Sequence, residues 1–75
     1  MNRYLPFREE LYSDDIGAYV SYGIRVLDSR GQVIASVSDV SVDKDLVDKL
    51  CYLWTRYELS PIHLEDAIEE VLAKG

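Results

Sequence analysis

DKDLVDKLCYLWTRYELSPIHLEDAIEEVLAKG, residues 43–75, is the stretch whose reading decides the fold. In its first half Leu46, Val47, Leu50, Cys51, Leu53, Trp54 and Tyr57 recur at steps of three and four, the period of a helix, and give one broad apolar face. The second half opens on a helix-start signal. Ser60 is placed to accept a bond from a free first-turn amide, Pro61 suits the first helical position, and Leu59 precedes Leu64 at the spacing of a hydrophobic staple. Asp43 is the expected cap of the first helix, with Ser41 as the alternative, and Gly75 suits the end of the second. The spacing predicts helices over about 43–58 and 61–73.

Upstream, the period changes from helical to alternating. From Arg3 to Tyr12, Leu5, Phe7 and Leu11 fall on one parity and Tyr4, Arg8, Glu10 and Tyr12 on the other, which reads as a half-buried strand. Pro6 cannot donate to a ladder, so this strand belongs at an edge. Ser13-Asp14-Asp15-Ile16-Gly17 is a cluster of turn formers. Over about 18–28 the even positions Val20, Tyr22, Ile24 and Val26 are large and apolar, the clearest strand in the chain. Asp28-Ser29-Arg30-Gly31 forms a turn in which Gly31 supplies the left-handed residue, and a third strand returns over about 32–38. Leu27 facing Gln32 is the preferred register. It sends Val33, Ala35 and Val37 to the Val20/Tyr22/Ile24/Val26 face and leaves Leu27 and Ile34 outside.

The order strand, strand, strand, helix, helix predicts an α+β domain: a three-stranded antiparallel sheet followed by two α-helices packed on one face. Residues 1–75 make one small domain whose expected core sets Leu46, Leu50, Trp54, Ile68, Val71 and Leu72 against Val20, Tyr22, Ile24 and Val26. At this length folding hides only about 60% of the chain's surface, so the core is thin. The lone Cys51 cannot close an internal disulfide, and no Cys or His spacing offers a zinc site.

Charge narrows the partners. Met1–Ser38 carries five acids and four bases, whereas Asp39–Gly75 carries nine acids and four bases. The excess negative charge thus lies on the helical half, where it repels phosphate, and no nucleic-acid partner is expected. No apolar run approaches the ~20 residues of a membrane span, and the charged N-terminal segment lacks the apolar run of a secretory signal. A cytoplasmic protein is expected.

The segment YGIRVLDSRGQVIASVSDVSVDKDLVDKLCYL, with the later LSPIHLEDAIEEVL, resembles a family of short bacterial proteins, familiar from Gram-positive anaerobes and catalogued only as a domain of unknown function. The resemblance covers about residues 19–72. Tyr22-Gly23-Ile24, Ser38-Asp39-Val40-Ser41 and Pro61-Ile62-His63-Leu64-Glu65-Asp66 carry it. It implies a bacterial cytosolic protein and brings no activity, cofactor or catalytic residue.

Chemistry is then sought in single residues. His63 in the first turn, with Asp66 three positions on, puts an imidazole and a carboxylate on one side of the helix, as a general base or a metal site completed by Glu70 requires. The plainer reading is a helix start whose acids answer the positive end of the dipole. Cys51 points into the apolar face and reads as a small buried hydrophobe rather than the nucleophile of a Cys51/His63 pair. The four glycines stand far apart and form no phosphate-cradling loop, so no cofactor is expected. These residues favour a non-enzymatic protein-interaction or regulatory module. A homodimer is considered, with Leu27, Ile34 and Tyr52 as interface candidates; the alternative is a small enzyme or metal-binding protein centred on His63, Asp66 and Cys51.

Overall fold

A computed structural model describes residues 1–74. Three antiparallel strands, β1 (Arg3–Ser13), β2 (Gly17–Leu27) and β3 (Val33–Ser41), form a sheet in chain order. Helix α1 (Lys44–Arg56), a single 3-10 turn at Pro61–His63 and helix α2 (Leu64–Lys74) follow. Val47 and Cys51 of α1 and Leu64 and Ile68 of α2 share one buried cluster with Tyr4, Ile24, Val26 and Val40, so both helices cover the same face of the sheet. The expected α+β architecture is the one observed. No helix among the described residues is long and apolar enough to cross a membrane.

β1 and β2 pair without interruption from Arg3↔Leu27 to Ser13↔Gly17. The even residues of both strands therefore face the helices. The buried member of β1 is Tyr4, from the parity it shares with Arg8 and Glu10, while Leu5, Phe7 and Leu11 point to the open face. Tyr4 is tied down on three sides. Its N–H donates to Thr55 Oγ1 at 2.9 Å, its hydroxyl donates to the Leu59 carbonyl, and its ring meets Trp54 edge-on with centroids 6.0 Å apart.

The β2–β3 register corrects the sequence reading. Val26 faces Ala35 and Ile24 faces Val37, two residues beyond the Leu27:Gln32 register, and Leu27 faces Val33. Ile34 is the extra residue that makes up the difference. Ala35 and Val37 keep the helix-side face expected of them and pack against the core, but Val33 is 55% exposed. The turn explains the shift. The Asp28 carbonyl accepts from Gly31 N at 3.0 Å, Asp28 N donates to the Gln32 carbonyl at 2.9 Å, and Gly31 is left-handed at φ 82. Asp28, not Leu27, thus closes the hairpin, and a bulge restores the facing of the apolar residues.

The core also differs in membership. Leu50 and Ile68 are buried, and Tyr22 and Trp54 pack against the cluster as expected. Leu72 is 48% exposed, Leu46, Val71 and Val20 are half-buried, and Tyr4, Val40, Val47 and Leu64 take the central places. Tyr4 and Val40 enter because β3 runs to Ser41 and β1 presents its even side, neither of which follows from apolar counting.

Helix termini divide the same way. Asp43 caps α1 through Oδ1, which accepts from Leu46 N at 3.2 Å. Ser60 makes no side-chain cap; instead its backbone carbonyl accepts from His63 N at 3.0 Å, so Pro61 opens a 3-10 turn before α2 begins at Leu64. At the end of α1, Leu59 N returns to the Trp54 carbonyl at 3.0 Å and Glu58 N to that of Thr55 at 3.3 Å, with Glu58 left-handed at φ 54. This is the bond pattern that usually recruits glycine.

Three substitutions check this description by urea unfolding. Glu58→Gly should raise stability by about 1 kcal/mol by relieving the left-handed conformation. Ser60→Ala should stay within about 0.5 kcal/mol of the parent, since no cap is lost. Tyr4→Phe should cost about 1–3 kcal/mol, because the Leu59 carbonyl loses its donor in a part-buried setting.

Candidate functional site

The most developed polar constellation lies on the open face of the sheet, where β1, β2 and β3 each contribute. Glu9 and Ser21 are directly paired across β1 and β2. The second irregularity in β3, between Val37 and Ser41, turns Ser38 and Asp39 back over them, with Asp39 left-handed at φ 52. Glu9 spans the sheet to reach this bend. Its Oε1 lies 2.7 Å from the Ser38 hydroxyl and its Oε2 accepts from Asp39 N at 2.8 Å. The Asp39 carboxylate accepts from Ser21 Oγ at 2.6 Å and from the Tyr19 hydroxyl at 2.9 Å. Ser21 is fully buried beneath them.

The electrostatics follow from this geometry. The Tyr19 hydroxyl is held above its ordinary range first by its bond to the Asp39 carboxylate, then by burial and by the charges of Asp39 and Glu9. Each carboxylate has hydroxyl or amide donors, so the pair is tolerated side by side. Among the described residues no group of three or more His, Cys, Asp or Glu side chains could hold a metal ion. The arrangement works as a clamp that fixes the bend of β3 to β1. Sequence reasoning missed it because its members lie up to 30 positions apart and meet only through the shifted register.

Next to the clamp, Gly23 makes room for an aromatic. A side chain there would begin 2.6 Å from the Val37 carbonyl and would overlap the Phe7 ring, which lies across this point. The Arg25 guanidinium covers the same ring from 4.1 Å.

The residues singled out in the sequence are dispersed. His63 ends the 3-10 turn and is exposed, as is Asp66 in the first turn of α2. Cys51 is 3% exposed within the core cluster. Leu27 is half-buried at the end of β2, and Ile34 is the exposed bulge residue of β3. Tyr52 lies on the solvent side of α1, where its hydroxyl accepts from Arg56 Nη1 at 3.2 Å, so it shares no surface with the open face of the sheet. A family of unknown function, DUF6514, has a model that matches residues 3–74. The chain belongs to that family. The match takes in every element of this DUF6514 member, from β1 to α2. No curated protein and no solved structure matches it.

One group in this DUF6514 chain has a strongly displaced titration. Burial, helped by the negative charge of Asp48, pushes the Cys51 thiol from its ordinary 9.0 up to about 12. It is neutral throughout the physiological range, which suits a core residue and not a nucleophile. A folded thiol that keeps its proton while the unfolded one loses it contributes stability below pH 9.0, and that contribution drains away as pH rises towards about 12. Unfolding free energies at about pH 8 and about pH 10.5 should therefore fall more in the parent than in Cys51→Ala. Labelling of Cys51 by a thiol reagent at neutral pH should be slow in the folded chain and fast in urea.

Proposed function

We propose that this protein is a non-enzymatic interaction module that acts as a homodimer, binding a second copy of itself through the sheet. The observation behind this is the one-sidedness of the fold. Two helices cover one face of the sheet, whereas Leu5, Val33 and Ile34 stand in solvent with no second layer over the other. A small domain with so thin a core gains most from a partner that hides such surface, and twofold association is the commonest form.

The alternative enzyme centred on His63, Asp66 and Cys51 draws little support. A neutral, enclosed Cys51 is not presented to a substrate, and His63 and Asp66 sit in open solvent at a helix start, where a carboxylate answers the helix dipole. The reduced lone thiol fits the reducing cytoplasm of a bacterium, which is where this reading sets the protein.

Light scattering across a concentration series tests it. A mass near twice 8.6 kDa at micromolar protein is expected, and a mass that remains at 8.6 kDa into the high micromolar range overturns the homodimer.

A further inference from the structure

The two edges of the sheet are not alike. β3 is broken twice, at Ile34 and over Ser38–Val40, and such irregularities blunt an edge against pairing. β1 is regular over all 11 of its residues. Its free side can be read from Tyr4, whose N–H donates to Thr55 Oγ1 and whose carbonyl accepts from the same hydroxyl at 3.4 Å. Backbone groups in an antiparallel ladder alternate sides, so the even residues Tyr4, Pro6, Arg8, Glu10 and Tyr12 all direct N–H and C=O away from β2. Thr55 satisfies the first and Pro6 has no N–H to satisfy. Arg8, Glu10 and Tyr12 are left with backbone amides and carbonyls that find no partner among the described residues, on an edge without a bulge.

We propose that two copies of this chain join β1 to β1, antiparallel, about a twofold axis at Glu9, forming one continuous sheet. This rests on the self-association proposed above but places its seam at the β1 edge, which leaves Val33 and Ile34 of the far strand in solvent. The register is selected by charge. Centring on Glu9 sets Arg8 against Glu10 of the second copy, and Glu10 against its Arg8, with all four backbones in hydrogen-bonding phase. Centring on Arg8 or on Glu10 opposes like charges, and centring on Leu11 shortens the overlap and leaves Arg8 facing the turn. On the open face the Glu9 register pairs Phe7 with Leu11 twice. Two Glu9 residues then meet at the axis, but each carboxylate is drawn away from the edge, across β2, by Ser38 and Asp39 N.

The same register gives Tyr12 a place. Tyr12 is 74% exposed on the helix-side parity, and it falls opposite Pro6 of the second copy. There a shallow groove lined by Pro6, Arg8, Tyr22, Lys44 and Asp48 lies open. An aromatic ring on a proline beside a Lys–Asp pair is a favourable seat for a tyrosine, whose hydroxyl can stay wet.

Glu10→Pro is the decisive variant, because Glu10 N–H points away from β2 and its loss leaves the intrachain ladder intact. It should yield a chain of monomer mass with parent-like circular dichroism. Arg8→Glu should weaken the dimer about tenfold or more by opposing two like-charged pairs, and Arg8→Glu with Glu10→Arg should bring the dissociation constant back to within about threefold of the parent. Rescue by the double exchange keeps the test sharp even if Glu10→Pro does not fold. In the parent, amide exchange at Arg8, Glu10 and Tyr12 should slow as concentration rises. A parent that is monomeric at all concentrations overturns the seam together with homodimerisation. A dimer indifferent to the charge exchange overturns the seam alone, and if Leu27→Lys or Ile34→Lys dissolves it the open face is the interface.

Discussion

Tyr4 is the residue on which the arrangement of sheet and helices depends. Its backbone, ring and hydroxyl each engage a different part of the helical half: Thr55, Trp54 and the Leu59 carbonyl. One residue at the start of β1 thereby fixes the end of α1 and the connection that leads to α2. The contacts span more than fifty positions of sequence, so they tie the start of the chain to its helical half. A phenol suits this position because it buries a large apolar ring while keeping a donor for the Leu59 carbonyl in the connection after α1.

The faces of the sheet are managed by different chemistry. Under the helices the solution is close packing of branched aliphatics around Ile24 and Val26, both fully buried. On the open side the protein substitutes local cover for a second layer. Arg25 shields Phe7, the missing side chain of Gly23 lets that ring lie flat, and the Glu9–Asp39 clamp seals Ser21. The strain of a left-handed Asp39 is offset by charge-assisted bonds to its amide and carboxylate.

What the sequence made legible was whatever depends on local periodicity. Alternation at Val20–Val26, the three-and-four spacing of Val47, Leu50 and Cys51, the Asp43 cap and the left-handed Gly31 all follow from neighbours within a few positions. The failures share a different origin. The β2–β3 register was decided by whether Asp28 or Leu27 closes the turn, a choice that apolar pattern alone does not separate because a shift of two residues preserves facing. Ser60 satisfied every compositional rule for a cap, yet its side chain bonds nothing while its carbonyl starts a 3-10 turn. Glu58 adopts a glycine conformation without being glycine, held by the two bonds that end α1. The clamp was invisible because Glu9, Ser21 and Asp39 carry no signature until three strands bring them together. His63, Asp66 and Cys51 were conspicuous by chemical type, and the fold keeps the thiol apart from the two exposed residues.

The breaks in β3 have a consequence for growth. A sheet with two regular edges that accepts a strand on one side offers a fresh template on the other, and the process propagates into a filament. Here the far edge is kinked at Ile34 and again at Asp39, so a strand added at β1 finds no successor across the molecule. The irregular strand therefore acts as a chain terminator: it limits any assembly built on the opposite edge to a closed, countable object.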